Sequence, residues 1–194
     1  MGERTGNRCG MKHTLRSRKI PASVVRRSKA VKLLVMDVDG ILTDGRVIYT
    51  AGGETQVAFD IQDGHGIKLA LRAGLGLAII TGRESEVVAQ RARELGIAEL
   101  HQKALDKLVV FQGLVGRSGL ALAEVACMGD DLLDLPLLLR AGLAITVPGA
   151  VDEVRAAAHY VTRRPGGRGA VREAIELLLK AQGHWSAVME RYRR

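Results

Sequence analysis

Lys32-Leu-Leu-Val-Met-Asp37-Val-Asp39-Gly40-Ile-Leu-Thr43-Asp44-Gly45 carries an apolar run straight into two carboxylates and a glycine turn. Side chains alternate along a strand, so Asp37 and Asp39 leave the sheet pointing the same way, toward whatever lies beyond its carboxyl edge. Two like charges held that close need a cation. A magnesium ion would quench their repulsion, leaving Asp37 free to attack phosphorus and Asp39 to handle the proton on the leaving oxygen. The plainer alternative is a solvated, aspartate-rich turn.

Working outward, strand and helix signals alternate from Val31 onward, which predicts an α/β fold with a parallel, doubly wound, Rossmann-like sheet. Residues 31–36 form the first buried strand. Segments 46–50 and 55–59 flank Ala51-Gly52-Gly53-Glu54 and read as a β-hairpin inserted after it. Helices are expected over 64–73, 84–95, 105–117, 132–140, 151–158 and 170–182. The remaining strands fall at 75–80, 97–101, 122–128, 143–147 and 160–162.

Polar clusters sit at the carboxyl ends of these strands, the edge where open α/β sheets bind ligands. After the second core strand, Thr81-Gly82-Arg83 offers a hydroxyl and backbone N–H groups at a helix start, which suits phosphate oxygens. Lys107 begins a helix, where a cation opposes the dipole unless an anionic site lies nearby. There its ammonium could hold Asp37 ionised and neutralise a phosphoryl group; a solvated lysine is the alternative. Met128-Gly129-Asp130-Asp131-Leu132-Leu133-Asp134 packs three carboxylates into a strand-to-helix junction and makes a hard-cation site with Asp130 as ligand. Asp131 and Asp134 read equally as acids at a helix start.

With 194 residues and 47% hydrophobic content the chain can bury one substantial core. Only 3% of residues are aromatic, which leaves few rings to stack on bases and argues against single-strand nucleic-acid binding. The net charge of +8 is a local feature: residues 1–32 hold ten Lys or Arg against Glu3 alone, and the rest is close to neutral. Residues 1–30 therefore read as a basic, disordered arm, 31–183 as the catalytic domain and 184–194 as a C-terminal tail. The arm has no continuous apolar core and is no secretory signal; a transit peptide or an over-long start-site assignment are its alternatives. The two cysteines, Cys9 and Cys127, do not suggest a disulfide framework, and no cluster has zinc spacing. The five histidines form no site, although His65 falls near the expected cleft. No apolar run approaches a membrane span, so a cytoplasmic protein without membrane contact is expected.

Taken together, the strings DVDGILTDG, IITGR, the lone Lys107 and GDDLLD resemble, in order, the four motifs of the haloacid dehalogenase superfamily of aspartyl phosphatases. The hairpin with Gly-Gly-Glu, the 59–67 stretch FDIQDGHGI and the 160–173 stretch YVTRRPGGRGAVRE are similar to a branch of that superfamily that dephosphorylates sugar acids. The resemblance covers about residues 32–183. It implies a nucleophile at Asp37, a general acid/base at Asp39, and Mg2+ held by Asp37, the backbone carbonyl of Asp39, and Asp130. Thr81, Gly82 and Lys107 would bind the phosphoryl group, with Asp131 and Asp134 in support. Arg83, Arg168 and Asp63 are the implied substrate contacts, Arg72 and Lys68 competing for the sugar carboxylate. The resemblance also implies no large cap domain and a homotetramer in which the glycine-arginine tail of one subunit reaches a neighbour's active site. The substrate it implies is an eight-carbon sugar acid phosphate of lipopolysaccharide synthesis, with a nine-carbon sialic-type phosphate as alternative. A reading of another class is a non-catalytic binding module whose basic arm takes nucleic acid or another polyanion, with salt-sensitive affinity.

Overall fold

The computed structural model describes residues 19–52 and 55–193. The apolar run at 33–36 becomes β1 (Leu33–Met36), with all four residues buried. It lies in the middle of a six-stranded sheet, between β4 (Gly76–Ile80) and β6 (Val125–Met128). β5 (Glu99–His101) continues the sheet beyond β4, and β7 (Leu143–Thr146) and β8 (Tyr160–Val161) continue it beyond β6. Every pairing in this sheet is parallel. The order β5-β4-β1-β6-β7-β8 reverses direction between β1 and β6, and the crevice at such a reversal is where a doubly wound sheet takes its ligand.

Register brings the site residues level. Met36 pairs with Ile79 on one side and Met128 on the other, so Asp37, Thr81 and Gly129 leave the sheet along one edge. The Asp37 N–H donates to the Met128 carbonyl at 3.0 Å, which carries the β1–β6 ladder into the first residue of the site. Helices α2 (Ile61–Arg72), α3 (Glu86–Leu95), α4 (Lys107–Ser118), α5 (Leu135–Leu138), α6 (Asp152–Ala157) and α7 (Ala170–Ala181) connect or flank these strands. Their apolar faces meet the sheet in one core that includes Leu34, Met36, Ile67, Ile79, Phe111, Ile145 and Leu178. Cys127 is buried inside it, and the apolar surroundings push its thiol well above the ordinary range.

Several sequence expectations change. The hairpin shrinks to β2 (Ile48–Tyr49) and β3 (Thr55–Gln56), a two-residue antiparallel ladder, because it stands apart from the main sheet and has no third strand among the described residues to extend it. The helix expected over 132–140 is a 3-10 turn, Leu132–Asp134, followed by the short α5, with Pro136 in its first turn. Residues 122–124 form a 3-10 turn ahead of β6 instead of extending the strand.

The largest correction concerns the arm. Of the expected disordered segment, residues 1–18 lie outside the described residues, but 22–30 form α1 (Ala22–Ala30). Val24 and Ser28, one turn apart, are the residues it buries, and the Ser28 hydroxyl donates to the Val24 carbonyl. Arg27 donates to the Gly142 carbonyl at 2.7 Å, and the Gln182 amide donates to the carbonyls of Ser28 and Val31, which fastens α1 to the start of β7 and the end of α7. The C-terminal tail likewise contains a helix, α8 (Trp185–Glu190), with Lys180 4.7 Å above the Trp185 ring.

Candidate active site

Lys107 organises the site. Asp106 caps α4 by accepting from the N–H groups of Leu108 and Val109, and so turns the first helical residue inward. Lys107 is 5% exposed, and its Nζ lies 2.9 Å from Asp37 Oδ1 and 2.6 Å from Asp134 Oδ1. The solvated-lysine alternative does not survive that burial. Burial alone would lower the ammonium pKa, but Asp37 and Asp134 outweigh it and the pKa is raised, so the cation persists.

Asp134 is fully engaged. Its Oδ2 accepts the N–H groups of Asp130 and Asp131 at 3.0 and 3.3 Å while Oδ1 takes Lys107. Asp131 is exposed and accepts the Leu132 N–H, so it caps the 3-10 turn and is not one of the clustered carboxylates. One carboxylate oxygen from each of Asp37, Asp130 and Asp134 falls within 4.8 Å of the others. Burial, reinforced by Asp134, pushes the Asp37 pKa up to about 6. Burial and the charges of Asp37, Asp134 and Asp131 push Asp130 up to about 7.

These residues fit a divalent cation. Asp130 Oδ1 is buried with no hydrogen-bond partner among the described residues, a costly state for a carboxylate oxygen that a hard cation would relieve. Room for that carboxylate comes from Gly40, whose φ is +85° and where a Cβ would overlap the Asp130 side chain. Asp37, Asp130 and Asp134 could all offer an oxygen to a metal, and with three hydrogen bonds already on Asp134, Asp37 and Asp130 are the better placed to do so.

A pH signature follows. In the metal-free protein Asp37 and Asp130 keep their protons up to about pH 6 and about 7, against 3.8 for an ordinary aspartate. Between those values the folded chain binds more protons than the unfolded one, so metal-free stability falls as pH rises from about 4 to about 7. Asp63, pushed up to about 6 by burial, adds to that slope but not to magnesium's share of it. Magnesium favours the ionised pair, so the rise in melting temperature it produces is expected to grow over this interval. Thermal melts with and without magnesium across it check this; a gain independent of pH would refute it.

The other expected residues are distributed as follows. Thr81 is 2% exposed, its N–H donating to the His101 carbonyl and its own carbonyl accepting from Ala104. Gly82 follows, and a Cβ placed on it would meet nothing nearer than the Ala104 carbonyl at 4.0 Å. Arg83 Nη1 lies 3.2 Å from Asp39 Oδ1, so the guanidinium sits beside the expected acid/base. Arg168 is exposed, and its charge helps lower the pKa of Asp44, which the Arg46 side chain lowers most. Asp63 is a correction: at 2% exposure it accepts the N–H groups of Gly169 and Arg172 and has no face left for substrate. Lys68 is spent on the Glu94 carbonyl, and His65 on Tyr192 and Arg172. The glycine-arginine stretch lies on its own chain's turn, the Gly167 N–H donating to the Ile41 carbonyl at 3.0 Å.

Sequence reasoning missed Thr146. Its buried hydroxyl donates to the Gly129 carbonyl at 2.6 Å and pins the loop that carries Asp130. A hydroxyl ending the apolar β7 run, level with Gly129, was the available signal.

Known proteins share this fold and much of this sequence. The family profile of haloacid dehalogenase-like hydrolases matches residues 92–175. The 3-deoxy-D-manno-octulosonate 8-phosphate phosphatase KdsC of Escherichia coli K12 is 43% identical over 164 residues, which cover 84% of this chain and 87% of the relative. A crystal structure of 3-deoxy-D-manno-octulosonate 8-phosphate phosphatase from Moraxella catarrhalis, in complex with magnesium, phosphate and a KDO molecule, is 44% identical. It superposes with a TM-score of 0.86, covering 87% of this chain and 97% of that one. The cobalt-bound phosphatase of Haemophilus influenzae is 35% identical with a TM-score of 0.78, over 81% and 92% of the two chains.

Proposed function

This chain belongs to the haloacid dehalogenase-like hydrolases, in the branch of 3-deoxy-D-manno-octulosonate 8-phosphate phosphatases, and we propose that it removes phosphate from that sugar acid through an aspartyl-phosphate on Asp37. The observation that carries the reading is the buried Asp37–Lys107–Asp134 array beside the unpartnered Asp130 oxygen. The Asp37 carboxylate attacks phosphorus in line while Asp39 protonates the departing sugar oxygen. Asp39, then a carboxylate, takes a proton from water as it hydrolyses the acyl phosphate. Lys107 neutralises the phosphoryl oxygens and keeps Asp37 oriented, and Thr81 with the backbone N–H groups that follow it donates to the same oxygens.

Asp37, Asp130 and the Asp39 carbonyl would hold magnesium, which supplies charge that offsets both the carboxylates and the phosphoryl group. Asp134 fixes Lys107 and the Asp130 backbone, and Asp131 caps the turn. Arg83 and Arg168 are the candidates for the sugar carboxylate, since a guanidinium can bind it with two parallel hydrogen bonds. A non-catalytic module would have no use for a lysine buried between two carboxylates.

The test is phosphate release from 3-deoxy-D-manno-octulosonate 8-phosphate, with and without magnesium, beside a nine-carbon sialic-type sugar acid phosphate and an aryl phosphate. A magnesium-dependent preference for the eight-carbon ester is expected. Preference for the nine-carbon ester would move the substrate, and no release from any of the three would sink the enzyme reading.

Two coarser features belong to the same proposal. Ile48 and Tyr49, 56% and 75% exposed on a ladder with no further strand among the described residues, would join copies of the chain into a homotetramer. Light scattering on Ile48→Asp should then give a smaller species than the parent chain; an unchanged mass would exclude the hairpin as the joint. Among the described residues no helix is long and apolar enough to cross a membrane; action in the cytoplasm on a precursor of lipopolysaccharide is proposed with the substrate.

A further inference from the structure

Among the described residues, both hydrogen bonds to the Asp63 carboxylate come from one stretch of chain. Oδ2 accepts the Gly169 N–H at 3.0 Å and Oδ1 accepts the Arg172 N–H at 2.6 Å. Both N–H groups belong to the start of α7, whose N-cap residue is Gly169 and so has no side chain to offer. The cap is supplied from the neighbouring helix instead. Close approach of α2 to α7 makes this reach possible, with the Arg172 Cα 3.2 Å from where a Cβ on Gly66 would stand. One residue before Asp63, Gln62 Oε1 accepts from Arg164 Nη1 at 2.5 Å, so the first turn of α2 grips residues 164–172 near both ends.

The strap between those grips lies on the 40–44 turn. Besides the Gly167 N–H bond to Ile41, a Cβ at Gly166 would overlap the Gly40 carbonyl and one at Gly167 would overlap Thr43. Arg168 stands between two held residues, Gly167 tied to the turn and Gly169 tied to Asp63. Burying a carboxylate to cap a helix is expensive, and desolvation lifts the Asp63 pKa to about 6. Two oxygens receiving two N–H groups justify a carboxylate; an amide has one oxygen and would turn its own NH2 on a backbone N–H.

We propose that Asp63 is a positioning residue for substrate recognition: by capping α7 from α2 it fixes the strap and presents Arg168 at the turn that carries Asp39. It thereby sets the preference for a phosphate ester that bears a carboxylate over one that does not. The proposal rests on the function given above, because Arg168 needs a carboxylate to bind.

The experiment measures kcat and KM for 3-deoxy-D-manno-octulosonate 8-phosphate and p-nitrophenyl phosphate in the parent protein, Asp63→Asn and Asp63→Ala, with melting temperatures alongside. KM for the sugar acid phosphate is expected to rise about tenfold in Asp63→Asn and further in Asp63→Ala, with kcat held within about threefold. For p-nitrophenyl phosphate, kcat/KM should move less than about threefold, so the ratio between substrates falls about tenfold. A cap with only a structural role would lower the melting temperature and leave that ratio alone. Gly167→Ala displaces the strap from its other end with Asp63 intact; it is expected to lower the same ratio, and serves if the Asp63 variants do not fold. A parent protein that prefers the sugar acid phosphate, with variants that keep the preference, overturns the role of Asp63 alone. A parent protein with no preference overturns the functional reading and this proposal together.

Discussion

Asp37→Asn should lower turnover by about 10⁴-fold or more while leaving the folded structure in place. The amide is nearly the same size as the carboxylate but is too weak a nucleophile to form the acyl phosphate. The neighbours that remain, Lys107 included, cannot substitute, because their part is to stabilise charge and not to bond to phosphorus. Stability should move little or rise in the metal-free protein. Burial first, and the charge of Asp134 second, raise the Asp37 pKa, and Asp37 in turn raises that of Asp130, so neutralising it relieves both a desolvation cost and a repulsion. Burst and steady-state phosphate release, with circular dichroism melts, check both halves. Residual turnover within about tenfold of the parent would mean that another group attacks.

Lys107→Met is expected to be the most damaging single change to stability at the site, costing about 3–5 kcal/mol near neutral pH. Methionine fills much of the same space, so the loss is electrostatic. It leaves Asp37 and Asp134 buried, side by side, without the ammonium that now lies 2.9 and 2.6 Å from them. The carboxylates can recover part of the cost by taking up a proton, so the defect should shrink as pH falls toward about 5. Turnover should fall as well, since the phosphoryl oxygens lose a fixed cation. Denaturant melts at two pH values settle it: a defect that does not depend on pH would show that Lys107 contributes mainly packing.

Much of this site is legible in the sequence because its parts are local. Asp37 and Asp39 follow an apolar run of four, Thr81 and Asp130 follow two more, and a parallel sheet with strands in register places such residues along one edge. What the sequence conceals depends on distant partners. Asp63 looks like a loop acid ahead of a glycine, and its partners Gly169 and Arg172 lie more than a hundred residues away. Lys107 is marked as a site residue in the sequence, but its burial between Asp37 and Asp134 depends on partners brought together only by the fold. Helix α1 hides behind its own charge: two buried residues in nine, one of them Ser28, leave almost no apolar period to find, and only the docking of Arg27 and Gln182 explains it. The hairpin errs the other way, since its alternating pattern promises more strand than an isolated ribbon can sustain.

The contact between the strap and the 40–44 turn has a genetic corollary. Gly40 and Gly166 meet backbone to backbone, so neither can be trimmed to make room for a side chain on the other. In a selection for revertants of Gly166→Ala, no partner substitution across that contact can restore the fit. True reversion should dominate the survivors, and the two glycines should behave as a pair without intragenic suppressors at their own interface.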